Sequence, residues 1–190
     1  MKFRYLTLLS LSVLTACNSA SDPTKENFGK AIDAYLAKRG ELCLNSQAWP
    51  FELSDMQKRM GNPFGGAGPA GEMEALKSQG LVSSNVVERP VTAFGVGATG
   101  RVERVTRYEL TAEGERYLRV GRNELHAANK GATRGSLCYG RKALEKVVKW
   151  EGPIKLGDYQ SASVKYLYRV VDLAEWASSE EIQAAFPHVK

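Results

Sequence analysis

The longest apolar run lies at the start of the chain. After Lys2 and Arg4, residues 5–14 are almost all apolar (Leu6, Leu8, Leu9, Leu11, Val13, Leu14), and small residues then lead to Cys17. A charged start, a short apolar stretch and small residues before a cut form the pattern of a secretory signal. The run is well short of the ~20 residues that a bilayer crossing needs. Residues 18–25 are polar and contain Pro23. They read as a tether, reaching at most ~29 Å when fully extended. Residues 26–39 then predict a helix: Thr24 can cap it, Phe28, Ile32, Tyr35 and Leu36 recur at helical spacing, and Gly40 stops it.

The pattern shortens after this helix. Residues 42–44 and 49–53 read as short extended pieces, the second made irregular or an edge by Pro50. Residues 62–71 hold four glycines and two prolines and predict a flexible loop, with Phe64 inside it. Residues 70–79 predict a helix with Met73 and Leu76 inward, ended by Gly80. An extended stretch through Val91, a glycine-rich turn and a strand over 101–110 follow. Residues 111–120 predict a short helix capped by Thr111, with Glu113 and Glu115 in its first turn.

Residues 123–135 are polar and read as irregular. Leu144, Val148 and Trp150 then alternate on one side of a strand over 144–151, and residues 152–159 turn the chain. Over 161–172, Ala162, Val164, Tyr166, Tyr168 and Val170 share one face, with Lys165 and Arg169 on the other. This predicts an antiparallel pair with one wet face. Val164 to Val170 should be its most buried part, with Trp150 opposite. Ser178 with Glu181 reads as a capping box for a last helix through Phe186, stopped by Pro187. The expected fold is α+β: a unit over 26–122, then a small antiparallel sheet with a C-terminal helix over 136–190.

Two stretches resemble known families. Leu14-Thr15-Ala16-Cys17 resembles the lipobox of bacterial lipoproteins. That resemblance implies a cleaved signal over 1–16, acylation of Cys17 and a lipidated tether over 17–25. The polar Asn18 after the cysteine, in place of aspartate, implies the outer membrane's inner leaflet, facing the periplasm. Residues 72–118 are similar to the second half of winged-helix domains. Glu74-Ala75-Leu76-Lys77-Ser78-Gln79-Gly80-Leu81-Val82 ends a helix, a hairpin follows, and Tyr108-Glu109-Leu110-Thr111-Ala112-Glu113-Gly114-Glu115-Arg116-Tyr117 opens the next helix. In such domains the preceding helix reads DNA. Here it offers only Lys58, Arg59 and Lys77 nearby, and an exported chain meets no DNA. The resemblance therefore implies a scaffold, winged-helix-like in shape, with no nucleic-acid partner.

Charge and cysteines refine this picture. The chain has 26 basic and 21 acidic residues, a net charge of +5; without Lys2 and Arg4 of the signal it is +3, too mild to argue for nucleic acid. Besides Cys17 there are Cys43 and Cys138. In an oxidising compartment their simplest use is a mutual disulfide, the alternative being two separately buried thiols.

Catalytic, metal and cofactor constellations are not evident. The run Gly95-Val96-Gly97-Ala98-Thr99-Gly100 matches a dinucleotide fingerprint by letter, but a strand pattern follows where a helix is required. It reads as a hairpin tip. His126 and His188 lie in polar or terminal segments, with no paired metal ligands. Basic residues do cluster: residues 115–149 hold nine against three acidic ones. Arg116, Arg119, Arg122, Arg134, Arg141 and Lys142 form the candidate patch for an anionic partner, against the plainer reading of a solvated face. The function expected is a non-enzymatic binding or scaffold lipoprotein with an envelope protein partner. An inhibitor or immunity lipoprotein is the second reading, and an envelope hydrolase the third.

Overall fold

The computed structural model describes residues 22–59, 67–93, 97–120 and 132–189. Helices and antiparallel sheets are mixed, giving an α+β protein. Helix α1 (Lys25–Arg39) begins where the Thr24 hydroxyl accepts the Asn27 N–H at 3.2 Å. It ends at Gly40, where a Cβ would lie 2.4 Å from the Leu36 carbonyl oxygen. Only glycine tolerates that approach. The inward row is Phe28, Ile32 and Leu36, spaced by four. Tyr35 was expected inward but is 59% exposed, because it sits off that row on the side away from the sheet.

The remaining elements follow in chain order. They are β1 (Glu41–Cys43), β2 (Gln47–Trp49), β3 (Phe51–Ser54), α2 (Asp55–Arg59), α3 (Gly68–Ser78), β4 (Val82–Ala93), β5 (Gly97–Leu110), α4 (Ala112–Tyr117), β6 (Leu118–Arg119), β7 (Thr133–Leu156), β8 (Tyr159–Val171) and α5 (Glu180–Ala185). β3, β5 and β4 form a three-stranded sheet in that order. β7, 24 residues long, organises the other sheet. Successive parts of it pair with β2, β6, β1 and β8, all antiparallel. Residues 133–135, expected to be irregular, are therefore strand: Gly135 opposes Gln47 and Arg134 opposes Ala48.

The phase of β7 also differs from simple alternation. Its register shifts between Leu144 and Lys146 and again between Val147 and Lys149. Each bulge adds one residue, so Leu144, Val147 and Trp150 share a face at a spacing of three. Val147 is buried and Val148 is 48% exposed, the reverse of the expected inward Val148. This face receives α1. Phe28 lies against Trp150 with ring centroids 5.4 Å apart, and a Cβ on Gly29 would touch Leu144 at 3.7 Å. Trp150 opposes the strand over 164–170, as expected, at Val164. The expectation that Val164 to Val170 is the most buried sheet segment fails: Tyr168 and Val170 are each 46% exposed. One helix covers a two-stranded ribbon incompletely, whereas the start of β7 has strands or core on every side.

The deepest core combines both halves of the chain. Leu81 and Ile182 are fully buried, and Met73, Tyr108 and Leu137 nearly so, within one apolar cluster that also holds Trp49, Tyr139 and Trp176. Gly114 is required by close approach: a Cβ there would lie 2.0 Å from the Leu81 carbonyl oxygen. Thr111 caps α4 as expected, accepting the Gly114 N–H at 3.1 Å. For α5 the cap is Ser179, which accepts the Ile182 N–H at 3.3 Å. Ser178, the expected cap, instead closes a 3-10 turn over Glu175–Ser178.

Candidate functional site

Three of the predicted basic residues meet beside the cysteine pair. The strand pairing sets Cys43 opposite Cys138, and their sulfurs lie 1.95 Å apart, at disulfide distance. Next to them opens a cleft of about 270 Å³, lined by Glu41, Arg116, Tyr117, Arg119, Arg141 and Asp172 among others. Four elements supply it. β1 brings Glu41, α4 brings Arg116 and Tyr117, β6 brings Arg119, and β7 brings Arg141.

Each guanidinium is held by a carboxylate. Arg119 Nε donates to Glu41 Oε1 at 3.2 Å, and its Nη1 donates to the carbonyls of Arg116 and Leu118. Arg141 Nη2 donates to Asp172 Oδ2 at 2.9 Å. Arg116 Nη1 donates to Glu113 Oε2 at 2.9 Å. These side chains are about half exposed or more. Such pairs contribute only ~0–1 kcal/mol each, so an incoming anion can exchange with them at little cost. Arginine's planar fork suits carboxylate or phosphate groups, which it can bind in two-point fashion.

Asp172 adds a second signal. Its φ is 54°, the left-handed region, and it is the one non-glycine there among the described residues. Strained backbone of this kind concentrates where a side chain must be aimed. Tyr117 closes the inner wall. Burial, and secondarily Glu113, raise its phenol above the ordinary tyrosine range, so its hydroxyl stays protonated as a donor.

Other predicted site residues fall elsewhere. Lys142 lies on the α1 face, its Nζ 4.6 Å from the centroid of the Tyr168 ring. Arg134 is exposed where β7 pairs with β2, away from the cleft lining. Arg122 and Cys17 lie outside the described residues, as do Phe64, Gly95 and His126. Glu41, Tyr117 and Asp172 were not singled out from sequence. The Glu41 carboxylate and both cysteine sulfurs lie within 4.8 Å of one another. Sulfurs bonded to each other offer no thiolate, the form in which cysteine binds metal.

Comparison with protein-family models, curated proteins and solved structures finds no match to this chain.

A much smaller cavity, about 10 Å³, lies in the core against Trp49, Glu72, Met73 and Phe186. Trp49 Nε1 is buried with no hydrogen-bond partner among the described residues. Burial raises the Glu72 carboxyl above its usual range, and His188 partly opposes this. Its folded pKa exceeds the unfolded one, so the stability lost to Glu72 is nil below the unfolded pKa and grows as pH rises through the folded one. Glu72→Gln is therefore expected to raise the thermal midpoint at pH 7 and to leave it unchanged near pH 3. Thermal melts at both pH values check this; an equal change at both would contradict it.

Proposed function

We propose that this chain is a membrane-anchored periplasmic lipoprotein acting as a binding or scaffold module of the bacterial envelope. Its acylated Cys17 would hold the body at the inner leaflet of the outer membrane. The cleft of Arg116, Arg119 and Arg141 would contact an acidic surface of an envelope protein. The observation that carries this reading is the convergence of three arginines from separate elements on one cleft, together with the left-handed Asp172 that holds Arg141. The cysteine pair at disulfide distance supports an oxidising compartment. The order α3, the β4–β5 hairpin, then α4 supports a winged-helix-like scaffold for residues 72–118.

Two experiments test this. Charge reversal at Arg116, Arg119 and Arg141 together should abolish salt-sensitive recovery of an envelope protein in crosslinking pull-downs from native membranes. Unchanged recovery would remove the cleft from the interface. Cys17→Ser should release the protein from the membrane fraction. If the unaltered chain is found in the cytosol at full precursor length, the envelope reading fails.

A further inference from the structure

Among the described residues, β8 pairs with β7 alone, which leaves the backbone groups along its other edge unmatched from Tyr159 to Val171. Free edges recruit strands, and proteins blunt them with proline, bulges, short length or charged side chains. This molecule does so elsewhere. Edge strand β4 carries Pro90, and its register shifts between Pro90 and Thr92. β8 has no proline, bulge or shortness of its own; its one such device is charge, from Lys165 and Arg169. It is 13 residues long without a proline, and each register shift of its hairpin puts more residues in β7 than in β8.

The groups along this edge are sticky and basic. Leu167 is 42%, Tyr168 46% and Val170 46% exposed, so apolar surface is open on both faces of the strand. The face away from α1 carries Lys165 and Arg169. Across the ribbon, Lys149 opposes Lys165 directly, and Lys146 opposes Leu167 on the same face. Lys149 Nζ donates to Glu151 Oε1 at 2.9 Å, but no carboxylate pairs with Lys146, Lys165 or Arg169 among the described residues. Residues 159–171 contain no aspartate or glutamate. A second copy of β8 would therefore bring only like charges to the pairing, which is unfavourable across strands.

We propose that the free edge of β8 accepts an extended segment of a partner protein by strand addition, a segment alternating carboxylates with apolar side chains. Main-chain hydrogen bonds would supply the affinity and the basic face the selectivity. This deepens the protein-binding reading above but uses a surface separate from the arginine cleft.

The test titrates purified full chain into a fluorescently labelled ten-residue peptide alternating valine and glutamate. Three comparisons accompany it: the same peptide with alternate backbone nitrogens methylated, the peptide with lysine for glutamate, and the chain carrying Lys165→Glu and Arg169→Glu. Anisotropy should report binding by the glutamate peptide that weakens at least tenfold on methylation. The double variant should reverse the preference and bind the lysine peptide better. Amides of residues 165–171 should exchange more slowly when the glutamate peptide is bound. Charge reversal at Arg116 and Arg119 should leave peptide binding intact, so failure of the cleft reading and failure of this one are separable. Equal binding of the methylated peptide, no binding at all, or a dimer with these amides already protected would overturn the proposal.

Discussion

Replacing Trp176 by alanine is expected to cost about 3–5 kcal/mol of folding stability, the range for emptying a large aromatic site in a core. Trp176 is 6% exposed and stands edge-on to two tyrosines from distant parts of the chain. Its ring centroid lies 5.7 Å from Tyr117 in α4 and 6.2 Å from Tyr139 in β7. It thus ties the first helical unit, the long strand and the C-terminal segment together. The indole Nε1 has no hydrogen-bond partner among the described residues, so the ring contributes through apolar packing. Trp176→Phe should consequently retain most of the stability, since it keeps a ring and removes the unsatisfied donor. Urea unfolding of the three proteins decides the matter. A loss below about 1 kcal/mol for alanine would mean that the site collapses or is not a packed core position.

The second large effect is expected from the cysteine pair. Cys43 and Cys138 are separated by 95 residues. A link over that distance removes much of the unfolded chain's freedom, worth about 4 kcal/mol in the chain-entropy account. Cys43→Ala with Cys138→Ala should lower the unfolding free energy measured in urea by that amount relative to the oxidised chain. Reductant should shift the parent protein alike and leave the double variant unmoved. If oxidised parent and double variant unfold together, the pair adds no constraint. A local consequence follows for the cleft. Glu41 and Arg141 are direct cross-strand neighbours two or three residues from the pair, so loosening it should also weaken the hold of Glu41 on Arg119.

Where local chemistry governs, the sequence was legible. Thr24 and Thr111 cap the helices assigned to them, because a hydroxyl three residues before a free N–H acts without help from the rest of the chain. Gly40 ends α1 for an equally local reason. The β4–β5 hairpin and the terminal β7–β8 pair follow from runs of strand-forming residues around turns. That Trp150 faces the strand over 164–170 was also legible, but its exact partner was not: the short turn alone would set it opposite Lys165, and the register shift between Glu151 and Ile154 moves it to Val164.

Legibility failed where the period was broken or the covering element was remote. The two bulges in β7 convert a spacing of two into a spacing of three, so Val147 rather than Val148 faces inward. Nothing in residues 144–150 announces which residue is left unpaired. Residues 133–135 are polar enough to read as loop, yet they lie in the sheet because β2 arrives from nearly ninety positions earlier in the chain to satisfy their backbone. β8 has an apolar face by pattern, but burial needs something to lie on it, and α1 covers only part.

The candidate site divides in the same way. A run of arginines after Glu115 was visible as excess charge, and two cysteines in an otherwise cysteine-poor body were visible as a pair. Their carboxylate partners were not. Glu41 and Asp172 reach Arg119 and Arg141 only because β1 and the end of β8 both flank one part of β7.

Taken alone, the sequence determined the α+β class, the caps of α1 and α4 and the order of the hairpins, because each rests on interactions between residues a few positions apart. Which face of each strand is buried, which basic residues meet, and which strand edge remains open were decided only by tertiary structure. Those outcomes depend on contacts between residues far apart in the chain, where one inserted residue in β7 turns a side chain from the core to the solvent.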